Sequence, residues 1–273
     1  MQANEEPRCG GKRLGGVLAQ ATADLPLVTV ITAVLNGQPY LTGCLESVLN
    51  QDYPNIEHIV LDGGSNDGTV DVLRQFSNRI ALWRSEPDRG LFDAWNKGLA
   101  EARGEWVCFL GSDDEFLPGA VSAYMACAAS HPQAEYLSST ARLVLASGKE
   151  VNIGGPWKWS TFSRRMTICH VGTMHRRSLF DRLGLFDLSY RVTGDYEFLL
   201  RSRAELRSAF LPAETVLVRA GGLSCSLNGV LEARRAKCKT GGLPKALALW
   251  DVKRDIIGIG PLYLSRRLLG LKR

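Results

Sequence analysis

The sequence predicts an α/β protein with a mostly parallel central sheet and helices on both faces. Between residues 27 and 110, short β-rich runs alternate with helical stretches, which is typical of βαβ units around a parallel sheet. Apolar runs end repeatedly at Asn or Asp, which places polar side chains at one edge of the sheet. With 273 residues, 45% of them hydrophobic and 22% charged, the chain can bury a sizeable core.

The first half of the chain predicts its elements in a regular order. "LVTVITAVLN", residues 27–36, is rich in β-branched residues and predicts the first strand. The following helix, residues 40–55, carries Leu41, Leu45 and Val48 at helical spacing. Strands and helices then alternate over the segments "EHIVLD", "VDVLRQFSN", "IALWRSEPD", "LFDAWNKGLAEARG" and "EWVCFLG".

The rhythm changes after the fourth of these strands. Residues 119–130 predict a small-residue helix, residues 135–153 a hairpin or pair of strands, and residues 160–205 several helices. We therefore expect a second, smaller half of the same domain over residues 119–228. A basic, helical C-terminal segment follows over residues 229–273.

Charge and cysteine content narrow the class of protein. The net charge is +5, and residues 231–273 hold eleven Lys or Arg against three acids, which leaves +8 there and −3 in the first 230 residues. An acidic partner is therefore expected at this tail. Residues 1–24 have no apolar core of signal-peptide length, which predicts a disordered cytoplasmic tail. Seven cysteines without CxxC spacing indicate reduced thiols, and the longest apolar runs are too short to cross a bilayer.

Acidic and amide side chains follow the predicted strands at their carboxyl ends. Those that come within a few residues of an apolar run are Asn36, Asp62, Asp88, Asp113 and Asp114. Open α/β sheets bind ligands at this edge, so we expect these side chains to lie together. Adjacent carboxylates repel each other unless a cation is present, and Mg²⁺ or Mn²⁺ with a diphosphate suits such oxygen ligands. The alternative is that the adjacent pair only caps the turn before Pro118.

Three segments of the chain carry a resemblance to a known family. They are "VTVITAVLNGQPYLTGCLESVLNQDYPNIEHIVLDGGSNDGT", "SEPDRGLFDAWNKGLAEARGEWVCFLGSDDEF" and, more loosely, "HRRSLFDRLGLFDLSYRVTGDYEFLLR". In this order they resemble the family 2 glycosyltransferases. The resemblance implies the GT-A fold, with a Rossmann-like half that binds a nucleotide-sugar and a smaller half that binds the acceptor. It divides the chain into a tail (1–24), a nucleotide-sugar-binding half (25–118), an acceptor-binding half (119–228) and the basic segment (229–273).

The resemblance implies which residues meet the nucleotide. Ala33, Leu35 and Asn36 would contact the base and ribose, and Asp62 would lie against one of them. Relatives commonly carry a second acid at the position of Gly63 and an aromatic residue at that of Leu35, so both departures concern recognition of the base. The alternative for Asp62 is a simple turn former before "GGSND".

The resemblance also implies a site for the sugar and the diphosphate. Asp88, Arg89 and Asp93 would lie beside the donor, because carboxylates accept from sugar hydroxyls and a guanidinium can hold a diphosphate oxygen. Asp114 is the implied ligand of Mn²⁺ or Mg²⁺, and Asp113 would contact a ribose or sugar hydroxyl. The metal would stabilise the charge that builds up on the leaving diphosphate.

Asp195, in "VTGDYEFLLR", lies where such transferases carry the catalytic base. One base opposite the leaving group implies inversion at the anomeric carbon. Relatives often have Glu-Asp where this chain has Gly194 and Asp195, so only the Asp remains as a candidate. The alternative is that Asp195 is the N-cap of a helix that begins near Tyr196. No Gln-x-x-Arg-Trp segment occurs, which favours addition of a single sugar.

Two further residues are implied at the acceptor or the diphosphate. His170, in "CHVG", is the first, and packing in the core is its open alternative. Arg219 is the second. It begins the Gly-rich stretch 219–226, which forms either a loop closing over the diphosphate or only a turn.

The C-terminal stretch "ALALWDVKRDIIGIGPLYLSRRLLGLKR" mixes apolar and basic residues as interfacial membrane segments do. The alternative is a helix packed on the domain with a solvated basic face. A lipid-linked acceptor would suit an anionic membrane surface as partner. No nucleic-acid partner is expected, since the segment is leucine-rich, unlike segments that bind in the groove of a nucleic acid.

The sequence therefore predicts a metal-dependent, inverting glycosyltransferase that is cytoplasmic or peripheral on the inner face of the cell membrane. It would move one sugar from a UDP-, GDP- or dTDP-sugar to a hydroxyl of a glycan or lipid-linked acceptor of a bacterial cell surface. A second hypothesis is a catalytically silent nucleotide-sugar-binding or scaffold protein of the same fold. P-loop and dinucleotide enzymes are excluded, because neither GxxxxGK[ST] nor a GxGxxG after the first strand occurs.

Overall fold

A computed structural model describes residues 8–16, 25–221 and 226–251 of the chain. These residues form one sheet of ten strands with helices on both sides. The strands are β1 (Cys9–Gly10), β2 (Val28–Val34), β3 (Ile56–Asp62), β4 (Leu82–Ser85), β5 (Trp106–Gly111), β6 (Glu115–Phe116), β7 (Tyr136–Val144), β8 (Glu150–Ile153), β9 (Met174–Arg176) and β10 (Ser208–Arg219). The α-helices are α1 (Gln38–Leu49), α2 (Thr69–Gln75), α3 (Leu91–Glu101), α4 (Ala120–Ser130), α5 (Trp159–Phe162), α6 (Ser178–Leu183), α7 (Gly194–Leu200) and α8 (Leu227–Lys239).

The first half of the sheet is parallel, in the order β4-β3-β2-β5. Its register aligns the carboxyl ends of the strands: Val34 lies opposite Asp62, and Asp62 lies opposite Ser85. Ala33 lies opposite Gly111 in the same way. The predicted alternation of strands and helices is confirmed here, and the loops that leave β2, β3, β4 and β5 all begin at one edge.

Helices cover both faces because the strands alternate apolar side chains between them. Ile31, Ile59 and Phe109 join one buried cluster with residues of α3, α6 and α7. Val30 and Cys108 belong to a second cluster, with α1 and α4. The α/β fold class with helices on both faces is therefore confirmed.

The second half of the sheet mixes directions. β9 runs antiparallel to both β5 and β7, β10 is parallel to β7, and β6 is antiparallel to β10. The predicted hairpin is the antiparallel pair β7 and β8. The longest strand pairs are parallel and the shorter ones include antiparallel pairs. The expectation of a mostly parallel sheet therefore holds for the long strand pairs. The return of β10 onto β6 brings Arg219 back to the acidic loop that follows β5.

The N-terminal segment differs from its prediction. Residues 8–16 are not a disordered tail: β1 pairs antiparallel with β4, and the backbone N–H of Lys12 donates to the carbonyl of Ile80 at 3.0 Å. The rest of the predicted tail, residues 1–7 and 17–24, lies outside the described residues. A strand of two residues has no hydrophobic periodicity, so the sequence gives no sign of it.

The C-terminal part of the described chain packs on the domain. α8 contacts α7 and buries Ala236 in the same cluster as that helix. Residues 245–251 are helical again, and Asp251 is paired with Arg164 at 2.7 Å. The larger part of the predicted interfacial segment, residues 252–273, lies outside the described residues. Within the part of the chain that the structure describes, no helix is long and apolar enough to cross a membrane.

Candidate active site

The structure brings the predicted polar residues to one edge of the sheet. The aligned ends of β2, β3, β4 and β5 lead directly into the loops that carry them. These loops hold Leu35, Asn36, Asp62, Asp88, Arg89, Asp113 and Asp114, together here called the donor edge.

The side chain of Asp62, at the end of β3, accepts hydrogen bonds from the turn that follows it and from the neighbouring strand. Its side chain is 2% exposed, and Oδ2 accepts from the hydroxyl of Ser85 at 2.6 Å and from the N–H of Gly64 at 3.2 Å. The Ser65 hydroxyl donates to Oδ1. These contacts agree with the turn-forming alternative, and they fix the loop that continues to the donor edge.

Asn36 ties the loop after β2 to the loop after β3. It lies in the left-handed region at φ 52°, which Asn tolerates better than most residues. Its side-chain oxygen accepts from the N–H of Asn66 at 3.1 Å, and its own N–H donates to Ser65 Oγ at 2.7 Å. Leu35 beside it is 62% exposed, while Ala33 is partly buried within β2. An exposed apolar side chain at this point offers a surface to a planar ring.

The carboxylate of Asp88 occupies the space that a side chain at Gly63 would need. A Cβ atom at Gly63 would lie 2.6 Å from Oδ2 of Asp88, closer than real Cβ contacts come. Asp88 Oδ1 accepts from the N–H of Gly90 at 2.7 Å, so its carboxylate is held over the loop after β3. Relatives are expected to carry a second acid at the position of Gly63. Here the carboxylate of Asp88, from the neighbouring loop, occupies the space of that side chain.

Asp93 and Arg89 form a pair within this loop. The guanidinium of Arg89 donates to Asp93 Oδ1 at 3.1 Å, and its backbone N–H donates to Oδ2 at 3.0 Å. Burial alone would raise the pKa of Asp93, but these hydrogen bonds and the Arg89 charge hold it below the usual range. The Arg89 side chain is 73% exposed, whereas Asp93 is buried. Asp93 therefore orients Arg89, and Arg89 is the group that can reach a ligand.

Asp113 and Asp114 face the same point after β5. A side chain at Gly111 would clash with Asp114 Oδ2 and meet Asp113 Oδ1 at 3.1 Å. Burial and the neighbouring Asp113 charge raise the pKa of Asp114 to about 7, although the Arg219 N–H, which donates to Oδ1 at 3.1 Å, lowers it. The carboxylate oxygens thus meet at close range with too little positive charge to neutralise them.

This arrangement fits a divalent cation. Oδ2 of Asp114 accepts no hydrogen bond from the described residues, so it is free to coordinate, and a cation would relieve the repulsion from Asp113. No group of three or more His, Cys, Asp or Glu positioned for a metal occurs within residues 8–16, 25–221 and 226–251. The remaining ligands would have to be water and a diphosphate, which is how Mg²⁺ is commonly held.

Arg219 reaches the donor edge from the other half of the domain. Its guanidinium pairs with Glu115 Oε1 at 2.7 Å and lies 5.8 Å from the ring centre of Tyr40, which is 52% exposed. Glu115 and Tyr40 were not predicted, although Glu115 follows the acidic pair directly. Of the predicted closing loop 219–226, residues 222–225 lie outside the described residues.

Asp195 is the second residue of α7, which begins at Gly194. The N-cap is Thr193, so the alternative reading of Asp195 as N-cap is wrong. Oδ1 accepts from the N–H of Tyr196 at 2.8 Å, and burial raises the pKa of Asp195 to about 6. After burial itself, the charges of both Asp114 and Asp195 contribute to raising the pKa of the Cys169 thiol to about 12.

His170 packs in the core. It is 5% exposed, its ring stacks on Trp95 and Phe109 at 5.4 and 5.7 Å, and it lies 4.9 Å from the ring of His175. Neither ring nitrogen has a hydrogen-bond partner among the described residues, and burial lowers the pKa of His170 well below 6.5. The structure places His170 in core packing, its open alternative, rather than at the acceptor.

One cavity lies away from the donor edge. Its volume is about 350 Å³, and residues at the start of β3, including Glu57 and His58, line it. Asp62 lies at the other end of that strand, about 16 Å from Glu57 at 3.3 Å per residue.

Comparison with known proteins decides the family. The model of glycosyl transferase family 2 matches residues 29–141. A PGL/p-HBAD biosynthesis glycosyltransferase of Mycobacterium bovis is 30% identical over 181 residues, covering 64% of this chain and 69% of that protein. The chain is a family 2 glycosyltransferase. The putative teichuronic acid biosynthesis glycosyltransferase TuaG of Bacillus subtilis is 42% identical to this transferase over 94 residues, or 33% of the chain and 37% of TuaG.

Solved structures show the fold of this family 2 glycosyltransferase. TarS of S. aureus matches with a TM-score of 0.64 at 18% identity, covering 84% of this chain but only 43% of TarS. The mannosyltransferase PcManGT of Pyrobaculum calidifontis, solved with GDP-Man and Mn²⁺, has a TM-score of 0.60 at 18% identity and covers 96% of this chain and 86% of that one. The GT-A fold expected from the sequence is thereby confirmed for the transferase.

Proposed function

We propose that this transferase moves one sugar from a nucleotide-diphosphate sugar to a hydroxyl of a glycan or lipid-linked acceptor, with inversion and with a divalent metal. The observation that carries the proposal is the arrangement of Asp113 and Asp114 at the donor edge, where both carboxylates meet at Gly111 and burial, together with the Asp113 charge, raises the pKa of Asp114. Asp195, on α7, belongs to the half of the domain expected to bind the acceptor.

Asp114 would hold Mn²⁺ or Mg²⁺ together with the donor diphosphate, and Asp113 would accept a hydrogen bond from a ribose or sugar hydroxyl. The bound ion would stabilise the negative charge on the departing diphosphate. Arg89 is exposed and oriented by Asp93, so it can donate paired hydrogen bonds to a diphosphate oxygen. Arg219 lies beside Asp114 and can do the same from the other half.

The nucleoside would lie across the loops after β2 and β3. Exposed Leu35 and the backbone near Ala33 and Asn36 would flank the base, and the turn that Asp62 supports would lie beneath the ribose. Asp88, held over Gly63, would provide the carboxylate that faces a hydroxyl of the donor.

Asp195 would remove the proton from the acceptor hydroxyl. Its pKa of about 6 leaves it mostly ionised at neutral pH and makes it a stronger base than an ordinary carboxylate. A single base acting opposite the leaving group gives inversion at the anomeric carbon. Gly194 beside it leaves no second carboxylate in that position.

The relatives suggest donors and a pathway class. TarS has been solved with UDP-GlcNAc and PcManGT with GDP-Man and Mn²⁺, and TuaG is named for teichuronic acid biosynthesis. We therefore infer a UDP-, GDP- or dTDP-sugar donor and a role in bacterial surface polysaccharide synthesis.

A membrane surface is a further proposed partner. Leu227 and Leu231, one turn apart on α8, are 55% and 50% exposed, and Trp250 is 67% exposed. α8 also carries the exposed Lys239 in its last turn, so an anionic lipid surface suits it. Flotation with vesicles containing anionic lipid should carry the protein upward, and Leu231→Asp should reduce the floated fraction. Equal flotation of the variant, or none of the wild type, would contradict this part.

Calorimetric titration with UDP, GDP and dTDP, each with and without Mn²⁺, tests the main proposal. We expect one nucleotide to bind only with metal, and Asp114→Ala to abolish that binding. Glu46→Ala, an exposed acid on α1, is the matched control and should bind as the wild type does. No binding of any nucleotide would overturn the donor-edge assignment. Metal-dependent binding without turnover of any nucleotide-sugar would favour a nucleotide-sugar-binding scaffold.

A further inference from the structure

One carboxylate from α8 holds the loop that leads to Asp195. Glu232 accepts from the backbone N–H groups of three successive residues: Arg191 at 2.9 Å, Val192 at 2.8 Å and Thr193 at 3.1 Å. The donors lie 39 to 41 residues before Glu232 in the chain. Glu232 has no ion-pair partner among the described residues, so its charge is satisfied by these peptide groups.

These contacts fix the segment that leads into α7. The N-cap of α7, Thr193, makes no side-chain capping bond, and the N–H groups that Glu232 binds are those of this residue and the two before it. Glu232 therefore holds the N-cap and the residues before it from another helix, and a negative charge near a helix N-terminus is favourable. Asp195 follows two residues later, so the backbone that carries its side chain is fixed by Glu232.

The same loop also contacts the donor edge. The guanidinium of Arg191 donates to the backbone carbonyl of Arg89 and would lie 3.2 Å from a Cβ at Gly90. Arg191 therefore bridges the residues assigned to the diphosphate and the segment that ends at Asp195. Its backbone N–H is one of the groups that Glu232 holds.

We propose that Glu232 is a positioning residue for Asp195: it aligns the base with the donor edge by clamping residues 191–193 to α8. The proposal rests on the proposed function for the role of Asp195. It assigns to α8, outside the segments that carry the family resemblance, a part in catalysis that needs no contact with either substrate.

The test compares Glu232→Ala and Glu232→Gln with Asn228→Ser, an exposed position on the same helix. Hydrogen exchange of the amides in residues 190–200 reports the clamp directly. We expect exchange of residues 191–193 to accelerate about 10- to 100-fold in Glu232→Ala, the range for losing charge-assisted hydrogen bonds. Glu232→Gln should fall between, because its amide keeps one acceptor oxygen but loses the charge. The control should match the wild type.

Kinetics separate positioning from a merely structural role. With nucleotide-sugar hydrolysis or transfer as readout, kcat should fall about 10- to 100-fold in Glu232→Ala while the nucleotide Kd stays within about twofold. The rise of kcat with pH, expected near pH 6 in the wild type, should move to lower pH as Asp195 becomes better solvated. Unchanged exchange, or faster exchange with an unchanged kcat and pH profile, would overturn the proposal.

Failure of the proposed function gives a different result. If the wild type turns over no nucleotide-sugar, the role of Asp195 as base fails, and the ¹³C titration of its carboxyl group still tests the clamp. A lower Asp195 pKa in Glu232→Ala than in the wild type would support positioning of the side chain. Identical titration curves would refute it.

Discussion

Replacing Asp114 with Asn should stabilise the metal-free protein while removing its capacity for metal. The pKa of Asp114 is raised from 3.8 to about 7, so the folded state favours the protonated carboxyl. Between these two pH values the unfolded chain has already released the proton that the folded chain keeps. Stability therefore falls as pH rises through this window, and the full cost is present above about pH 7.

The magnitude follows from the shift. About three pKa units at 1.36 kcal/mol each correspond to about 4 kcal/mol, which is an upper value for the cost of ionising Asp114 in the fold. Asn has the same shape, cannot ionise, and keeps an oxygen for the Arg219 N–H. We expect Asp114→Asn to be more stable than the wild type by about 2 to 4 kcal/mol at pH 8 and nearly equal at pH 4.

Urea unfolding in EDTA at several pH values between 4 and 8 measures this difference. Addition of Mn²⁺ at pH 7 should then stabilise the wild type, because the ion binds only the folded state, and should leave Asp114→Asn unchanged. Asp113→Asn is the matched control: it removes the neighbouring charge, so the stability of that variant should fall less steeply with pH than that of the wild type. A destabilised Asp114→Asn at pH 8, or a difference that does not vary with pH, would refute the reasoning.

Three further outcomes test the site. Asp195→Asn should lower kcat by about 10²- to 10⁴-fold and abolish the rise of activity near pH 6, with the nucleotide Kd within about twofold; activity that survives would remove Asp195 as base. Gly63→Asp should weaken nucleotide binding in calorimetry by about tenfold or more, because its Cβ meets Asp88, and adding Asp88→Ala should restore part of it; the absence of any restoration would contradict the shared space. His170→Phe should leave kcat/KM within about twofold and the melting temperature unchanged or higher, since two unpartnered ring nitrogens leave the core; a tenfold loss of kcat in a folded variant would return His170 to the acceptor site.

The parallel half of the fold was predictable because its signals are local. Each strand is a short apolar run that ends at a polar residue, and parallel strands must end at the same edge. The first helix was predicted over residues 40–55 but spans Gln38–Leu49; Pro54 disfavours the helical conformation at Tyr53, and residues 50–55 form the connection to β3. Glu115 and Tyr40 belong to the site only through Arg219, and nothing in their own segments indicates that.

The contacts that complete the site join distant segments. Asp88 reaches Gly63 across two loops, and Glu232 reaches residues 191–193 across 39 or more positions. Sequence periodicity carries no information about such pairs, since each residue of a pair has the sequence context of an ordinary polar or turn residue. The departure from the family pattern at Gly63 was the single sequence signal that pointed to one of them.

The short strand β1 changes how the sheet meets its surroundings. Without it, β4 would present its free N–H and carbonyl groups along an open margin, and such margins recruit strands from other molecules. Residues 8–16 therefore cover this edge of the sheet and prevent it from pairing with a strand of another molecule. A chain begun at residue 25 would keep every residue of the donor edge and yet be expected to aggregate at concentrations where the full chain stays monodisperse.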